Sequence, residues 1–187
     1  MAKRGPAAAD RYKTFAGGRA TAGFTLIELI AVIVLTSIMA FVAMPRMIDH
    51  TFDEKALHDG VQAALQHARR VAVASRRYVC ANVTAGTGST GAVALRMDTT
   101  APESVVTVVC TTAVGGTAVS LPAPGRGCAA TNEVCASNGV TLGGASVIFD
   151  PLGRSVDSAK NVQATVLVVT VSNQPNISVQ AETGFVQ

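Results

Sequence analysis

The sequence reads as an α+β chain, with one long helix first and an antiparallel β-rich head packed against it. Three observations carry this. Residues 24–44 are almost wholly apolar, residues 45–79 repeat their apolar positions at helical spacing, and from residue 80 the texture turns to Val, Thr, Ala, Gly and Ser. The expected organisation is therefore a basic N-terminal segment 1–23, an apolar helix 24–44, an amphipathic helix 45–79 and a β-rich head 80–187. At 187 residues there is room for one ordinary domain and an appendage. With 49% hydrophobic and only 14% charged residues, a disordered chain is excluded.

Taking the elements in order, residues 1–23 carry five basic residues against one acidic, a net +4, while 24–187 carry ten against eleven. The overall +3 thus belongs to the first segment and does not describe a nucleic-acid surface on the folded part. The apolar run FTLIELIAVIVLTSIMAFVAM has one charge, Glu28, and is closed by Pro45 and Arg46. As a helix it covers roughly 30 Å, the thickness of a bilayer core. Basic residues ahead of it place the N-terminus on the cytoplasmic side and the remainder across the membrane.

A cleaved secretory signal does not fit this run. It is too long, and Phe41 stands two positions before Ala43 where a small residue is needed. A plain signal anchor fits the length but leaves Glu28 unexplained, since a carboxylate in a membrane helix costs roughly 2–3 kcal/mol near the bilayer centre and less near its edge. Gly23-Phe24-Thr25-Leu26-Ile27-Glu28 resembles the processing site of type IV pilins and type II secretion pseudopilins. The resemblance implies that a prepilin peptidase cuts between Gly23 and Phe24 on the cytoplasmic side and methylates the amine of Phe24. It implies a pilin-like fold, and a role in assembly for Glu28, which would meet the new amine of a neighbouring subunit in a low dielectric. Residues 1–23 would then be a leader, longer than many in that family.

In 45–79 the apolar positions are Ile48, Phe52, Leu57, Val61, Leu65, Ala68, Val71 and Ala72. Asp49, Asp53, Glu54 and Asp59 precede Arg69, Arg70, Arg76 and Arg77, an order that complements a helix dipole. Pro45 starts this half or kinks it, and Gly60 is a weak point. The arginine cluster is read as a solvated helix end rather than as a lipid, partner or DNA site.

Strands are expected at 78–84, 91–98, 104–112, 117–121, 146–150, 161–171 and 176–182, separated by Gly/Thr/Ser clusters at 85–90, 115–116 and 142–144. Val166-Leu167-Val168-Val169 is apolar on both faces, so 161–171 should be the most buried strand. Seven short strands without helices between them suggest an antiparallel sheet or a small sandwich. Its packing partner would be the apolar helix face.

Phe149-Asp150-Pro151-Leu152-Gly153 and Thr183-Gly184-Phe185-Val186 resemble a pattern of the H-type minor pseudopilins and of related minor pilins of the mannose-sensitive haemagglutinin pilus. Read by itself, Asp150-Pro151-Leu152-Gly153 is a turn.

Cys80, Cys110, Cys128 and Cys135 all follow the apolar run. Zinc lacks its usual signals, because there is no Cys-x2-Cys pair and all three histidines lie in the helix. An exported domain favours disulfides. Of the three possible pairings, Cys80–Cys110 and Cys128–Cys135 are preferred. His50, His58 and His67 do not share one helical face and read as surface residues, and Asp150 and Asp157 lack the dense acidic ligands of a calcium loop. No nucleophile elbow or phosphate-cradling loop occurs, so neither enzymatic activity, cofactor nor metal is expected.

Together the resemblances imply a single-pass inner-membrane minor pilin or pseudopilin with a periplasmic head, which primes or caps a secretion pseudopilus or a type IV pilus. The implied partners are other pilin or pseudopilin subunits, the prepilin peptidase and an inner-membrane assembly platform driven by a separate ATPase. The rival readings are a DNA-binding minor pilin for natural transformation, an adhesive major pilin, and a membrane-anchored binding domain or enzyme. From residue 98 onward three basic residues face six acidic ones, so nucleic acid is not an expected partner.

Overall fold

The computed structural model of the protein describes residues 24–109, 116–123, 125, 128–137 and 139–187, with the backbone alone for 41–50. The chain divides into two compact units, Met1–Ala43 and Met44–Gln187.

Helix α1 spans Leu26–Ser75 and is assigned without a break at Pro45. Two expectations change as a result. The acidic residues Asp49, Asp53 and Asp59 lie far inside the helix and not in its first turn, so the N-terminal dipole does not act on them. The helix also stops at Ser75, short of 79, and its last turn holds no basic residue. Arg76 takes a left-handed conformation (φ 53°), and the Arg77 N–H reaches back to the Ala72 carbonyl at 3.2 Å. That is the Schellman closure of a helix end, made here without the usual glycine.

Within the second unit the strands are β1 Val79–Thr84, β2 Gly86–Thr87, β3 Ala92–Asp98, β4 Gly116–Ala118, β5 Glu133–Cys135, β6 Thr141–Gly144, β7 Val147–Phe149, β8 Ser155–Val156, β9 Leu167–Val171 and β10 Ile177–Val179. They form two antiparallel sheets. One runs β4-β3-β1-β7-β8, with β5 also on β3, and the other runs β10-β9-β6-β2. A helical stripe of Leu57, Val61, Ala64, Leu65, Ala68 and Ala72 shares one core with Val79, Ala81, Val93, Leu95, Phe149 and Val169. Phe52 is exposed and does not join that stripe, and Val71 is half-buried at its edge. The Ile48 side chain lies outside the described residues. Gly60 has a packing reason, since a Cβ there would stand 3.3 Å from Val134 Cγ1.

The segment expected as a strand at 104–112 is irregular over its described part. It turns at Ala101, whose carbonyl accepts from Ser104 and Val105 N–H, and then lays Val105 and Val108 beside Tyr78, Cys80 and Val156. A spacing of three reaches that cluster, where a strand's spacing of two would turn one valine outward. β1 is thereby buried on both sides at its start. The expectation that 161–171 is the most buried strand also fails. Only Leu167–Val171 is extended, with Val169 and Val171 inward and Thr170 outward, because β9 has a core on one face alone. The clusters at 85–90 and 142–144, read as loops, supply β2 and β6.

Candidate functional site

The N-terminal motif is described from Phe24 onward, and Gly23 lies outside the described residues. Thr25 caps α1: its carbonyl accepts from Leu29 N–H at 3.2 Å, and its Oγ1 accepts from Glu28 N–H at 3.3 Å. Thr25-x-x-Glu28 has the sequence of a capping box, with Glu28 at the third helical position beside the positive end of the dipole. That Thr–Glu spacing is readable in the sequence alone. Among the described residues no basic side chain pairs with Glu28.

From Leu26 to Ala40 the side chains are apolar all round except Glu28, Thr36 and Ser37, and all are exposed within the chain. Phe24 is 79% exposed. The two hydroxyls turn back on the helix, Thr36 Oγ1 donating to Val32 O at 2.9 Å and Ser37 Oγ to Val34 O at 2.8 Å. A helix with no polar face needs an apolar surrounding. Among the described residues no helix is long and apolar enough to cross a membrane by itself. The expected span 24–44 continues into the positions whose side chains are not described.

In the head, the two halves of the second sequence pattern meet. Asp150 is buried and holds the turn that follows it. Its Oδ1 accepts from Leu152 N–H at 3.0 Å and Arg154 N–H at 2.7 Å, and its Oδ2 accepts from Arg154 Nε at 2.8 Å with Nη2 also at 2.7 Å. This is a two-pronged charged pair with the backbone satisfied as well. Gly153 has φ 81°, and its carbonyl accepts from Arg69 Nε at 3.1 Å. Gly184, at φ 60°, lies directly against that carbonyl and against the Phe149 ring, leaving no room for a Cβ. Val186 bridges to Val179 and is buried.

The four arginines separate. Arg69 is tied to Gly153 and Arg77 Nη1 donates to the Thr99 carbonyl, while Arg70 and Arg76 are exposed. Two of the histidines are less exposed than expected: His58 and His67 are half-buried, and His58 Nδ1 is 3.2 Å from Asp59 Oδ1, while the His50 side chain lies outside the described residues. Hydrogen bonds from His58 and Lys55 hold the Asp59 carboxyl below its ordinary value. Asp157 is held low by the Asn161 backbone N–H, then by the Asn161 side chain and the Ala159 N–H. Burial, with the Asp150 charge adding to it, pushes the Tyr78 hydroxyl up. Among the described residues no three His, Cys, Asp or Glu side chains come together in a metal-binding group.

Cys128 and Cys135 are bonded, with Cα atoms 5.5 Å apart. Cys80 is disulfide-bonded too, and Cys110 lies outside the described residues. Glu54, read in the sequence only as one of the helix acids, is buried on α1 and accepts from Asn173 Nδ2 at 2.7 Å and Ser172 Oγ at 3.3 Å.

With this geometry in place, residues 18–44 match the family described as the prokaryotic N-terminal methylation motif. That motif is the prepilin-type signal, and it supports a type IV pilin-like or pseudopilin protein that is a prepilin peptidase substrate and works with other pilin subunits. No curated protein and no solved structure matches the chain significantly.

Proposed function

We propose that the chain is a minor pilin or pseudopilin, a structural subunit that primes or caps a secretion pseudopilus or a type IV pilus. It is stored in the inner membrane with its N-terminus cytoplasmic and its head periplasmic, and it is a substrate of the peptidase rather than an enzyme. The observation that carries this is the helix start. Thr25 caps a helix that is apolar on every side and carries Glu28 as its only charge through Ala40. Among the described residues of its own unit nothing covers that surface, which suits lipid or sister helices. Cleavage after Gly23 would free an amine one residue before the cap. Subunits then leave the membrane by exchanging lipid contacts for helix contacts, driven by a separate ATPase through an assembly platform. The junction of Phe149, Gly153, Gly184 and Val186 supports the H-type subgroup, because it gives the sequence pattern a structural purpose. Mass spectrometry of the protein from its native membrane tests the reading. The mature chain is expected to begin at a methylated Phe24, and an intact leader or a start near residue 44 would end it.

A further inference from the structure

We propose that the cleft between α1 and the 185–186 segment, with Arg69 and Arg70 on the helix and Phe185 across from them, receives a glutamate side chain of a different subunit. The inference rests on the reading of the chain as an assembling subunit and names the chemistry by which its head recognises a neighbour. The cleft measures about 220 Å³ and is lined by Gln66, Arg69, Arg70, Phe185 and Val186. Among the described residues its charged lining is the two arginines, and neither forms an ion pair. Glu182 lines a separate cavity with Gln163 and Gln180.

The walls are set before any ligand arrives. Arg69 Nε donates to the Gly153 carbonyl at 3.1 Å, a bond that fixes the side chain without using its two Nη groups. Phe185 is 53% exposed although its backbone is held on both sides: its N–H donates to Thr183 Oγ1 at 3.3 Å, and its carbonyl accepts from Gln180 N–H at 2.9 Å. Exposed arginine and aromatic side chains on a fixed support lose little freedom on binding, which is the character of an interface anchor. A planar guanidinium matches a planar carboxylate through two parallel hydrogen bonds. Gln66 adds an amide donor, and Phe185 with Val186 offers an apolar wall to a methylene stem. The volume lies below the roughly 300–1,000 Å³ of small-molecule pockets and suits one side chain. A second copy of this chain is not the source. If an acid of one copy filled the cleft of the next, the array would grow without closing, which a priming or capping subunit does not do.

The test titrates the full chain in detergent with N-acetylglutamate methylamide, with its glutamine counterpart and with inorganic phosphate, following the arginine side-chain resonances by NMR. The glutamate probe is expected to shift the Arg69 and Arg70 signals and to saturate below about 50 mM, with the glutamine probe and phosphate at least about tenfold weaker. Arg70→Gln, at an exposed position, should weaken the glutamate probe about tenfold while the amide spectrum away from the cleft stays unchanged. In cells lacking the wild-type copy, Arg70→Glu should lower assembly or secretion output about tenfold at a normal membrane level. No saturation, equal binding of the glutamine probe, tighter binding of phosphate, indifference to Arg70→Gln, or normal output from Arg70→Glu would each overturn the proposal. The N-terminal mass of the wild-type protein separates the two readings: an intact leader removes the pilin-like function, whereas a start at Phe24 without carboxylate binding removes this site alone.

Discussion

Glu28 stands three residues past the threonine that caps its helix, so a capping-box use stands beside the intersubunit role proposed for it. Two substitutions separate them. Glu28→Gln keeps a capping-box side chain and removes the charge, and Glu28→Leu removes both. If the carboxylate meets a neighbour's amine, both variants should insert and lose the leader normally, while assembly or secretion output falls at least about tenfold, because an amine stays unpaired in a low dielectric. Normal output from Glu28→Gln alone would assign the residue to capping. Asp157 gives a second test. Its carboxyl is depressed in the folded head. The unfolded chain therefore binds the proton more readily, and stability rises with pH across the acid window. The loss in Asp157→Ala, followed by urea unfolding, should be full at pH 6 and shrink as the pH drops below the ordinary 3.8 toward the folded value.

Among the elements, the 150–154 turn and the 183–186 segment depend on each other. Gly184→Ala puts a methyl group onto the Gly153 carbonyl at a positive φ. A loss of about 2 kcal/mol or more is expected in chemical unfolding, with amide exchange speeding first at 178–187. An unchanged midpoint would mean that the two segments are not packed as described. This junction was legible in the sequence only as a pattern: the Asp-Pro-x-Gly turn could be read, but not that Arg69 and Gly184 both close on it from more than thirty residues away. The long helix and the strands around β1, β3 and β7 were legible because their periodicity is undiluted. β2 and β6 were not, because Gly86, Gly143 and Gly144 look like loop residues and become strand only through pairing. The 104–109 segment misled for the opposite reason, since its valines signal β-propensity while tertiary packing uses them three apart.

At the scale of the whole molecule, charge decides between partners. The sequence from residue 98 to the end is net −3, and of Arg69, Arg70, Arg76 and Arg77 only Arg70 and Arg76 are exposed. The full chain in detergent should bind duplex DNA weakly and without saturation at physiological salt. Saturable sub-micromolar binding lost in Arg70→Ala with Arg76→Ala would instead favour the transformation role. One feature of the fold also sets the order of events in the cell. Residue 186 fills the core beside Val179, and Gly184 closes the turn that begins at residue 150. The head therefore stays incomplete until that stretch is free to fold. A chain broken off shortly before residue 184 is expected to leave the turn at Gly153 and the core beside Val179 uncovered, and so to be cut faster by added protease.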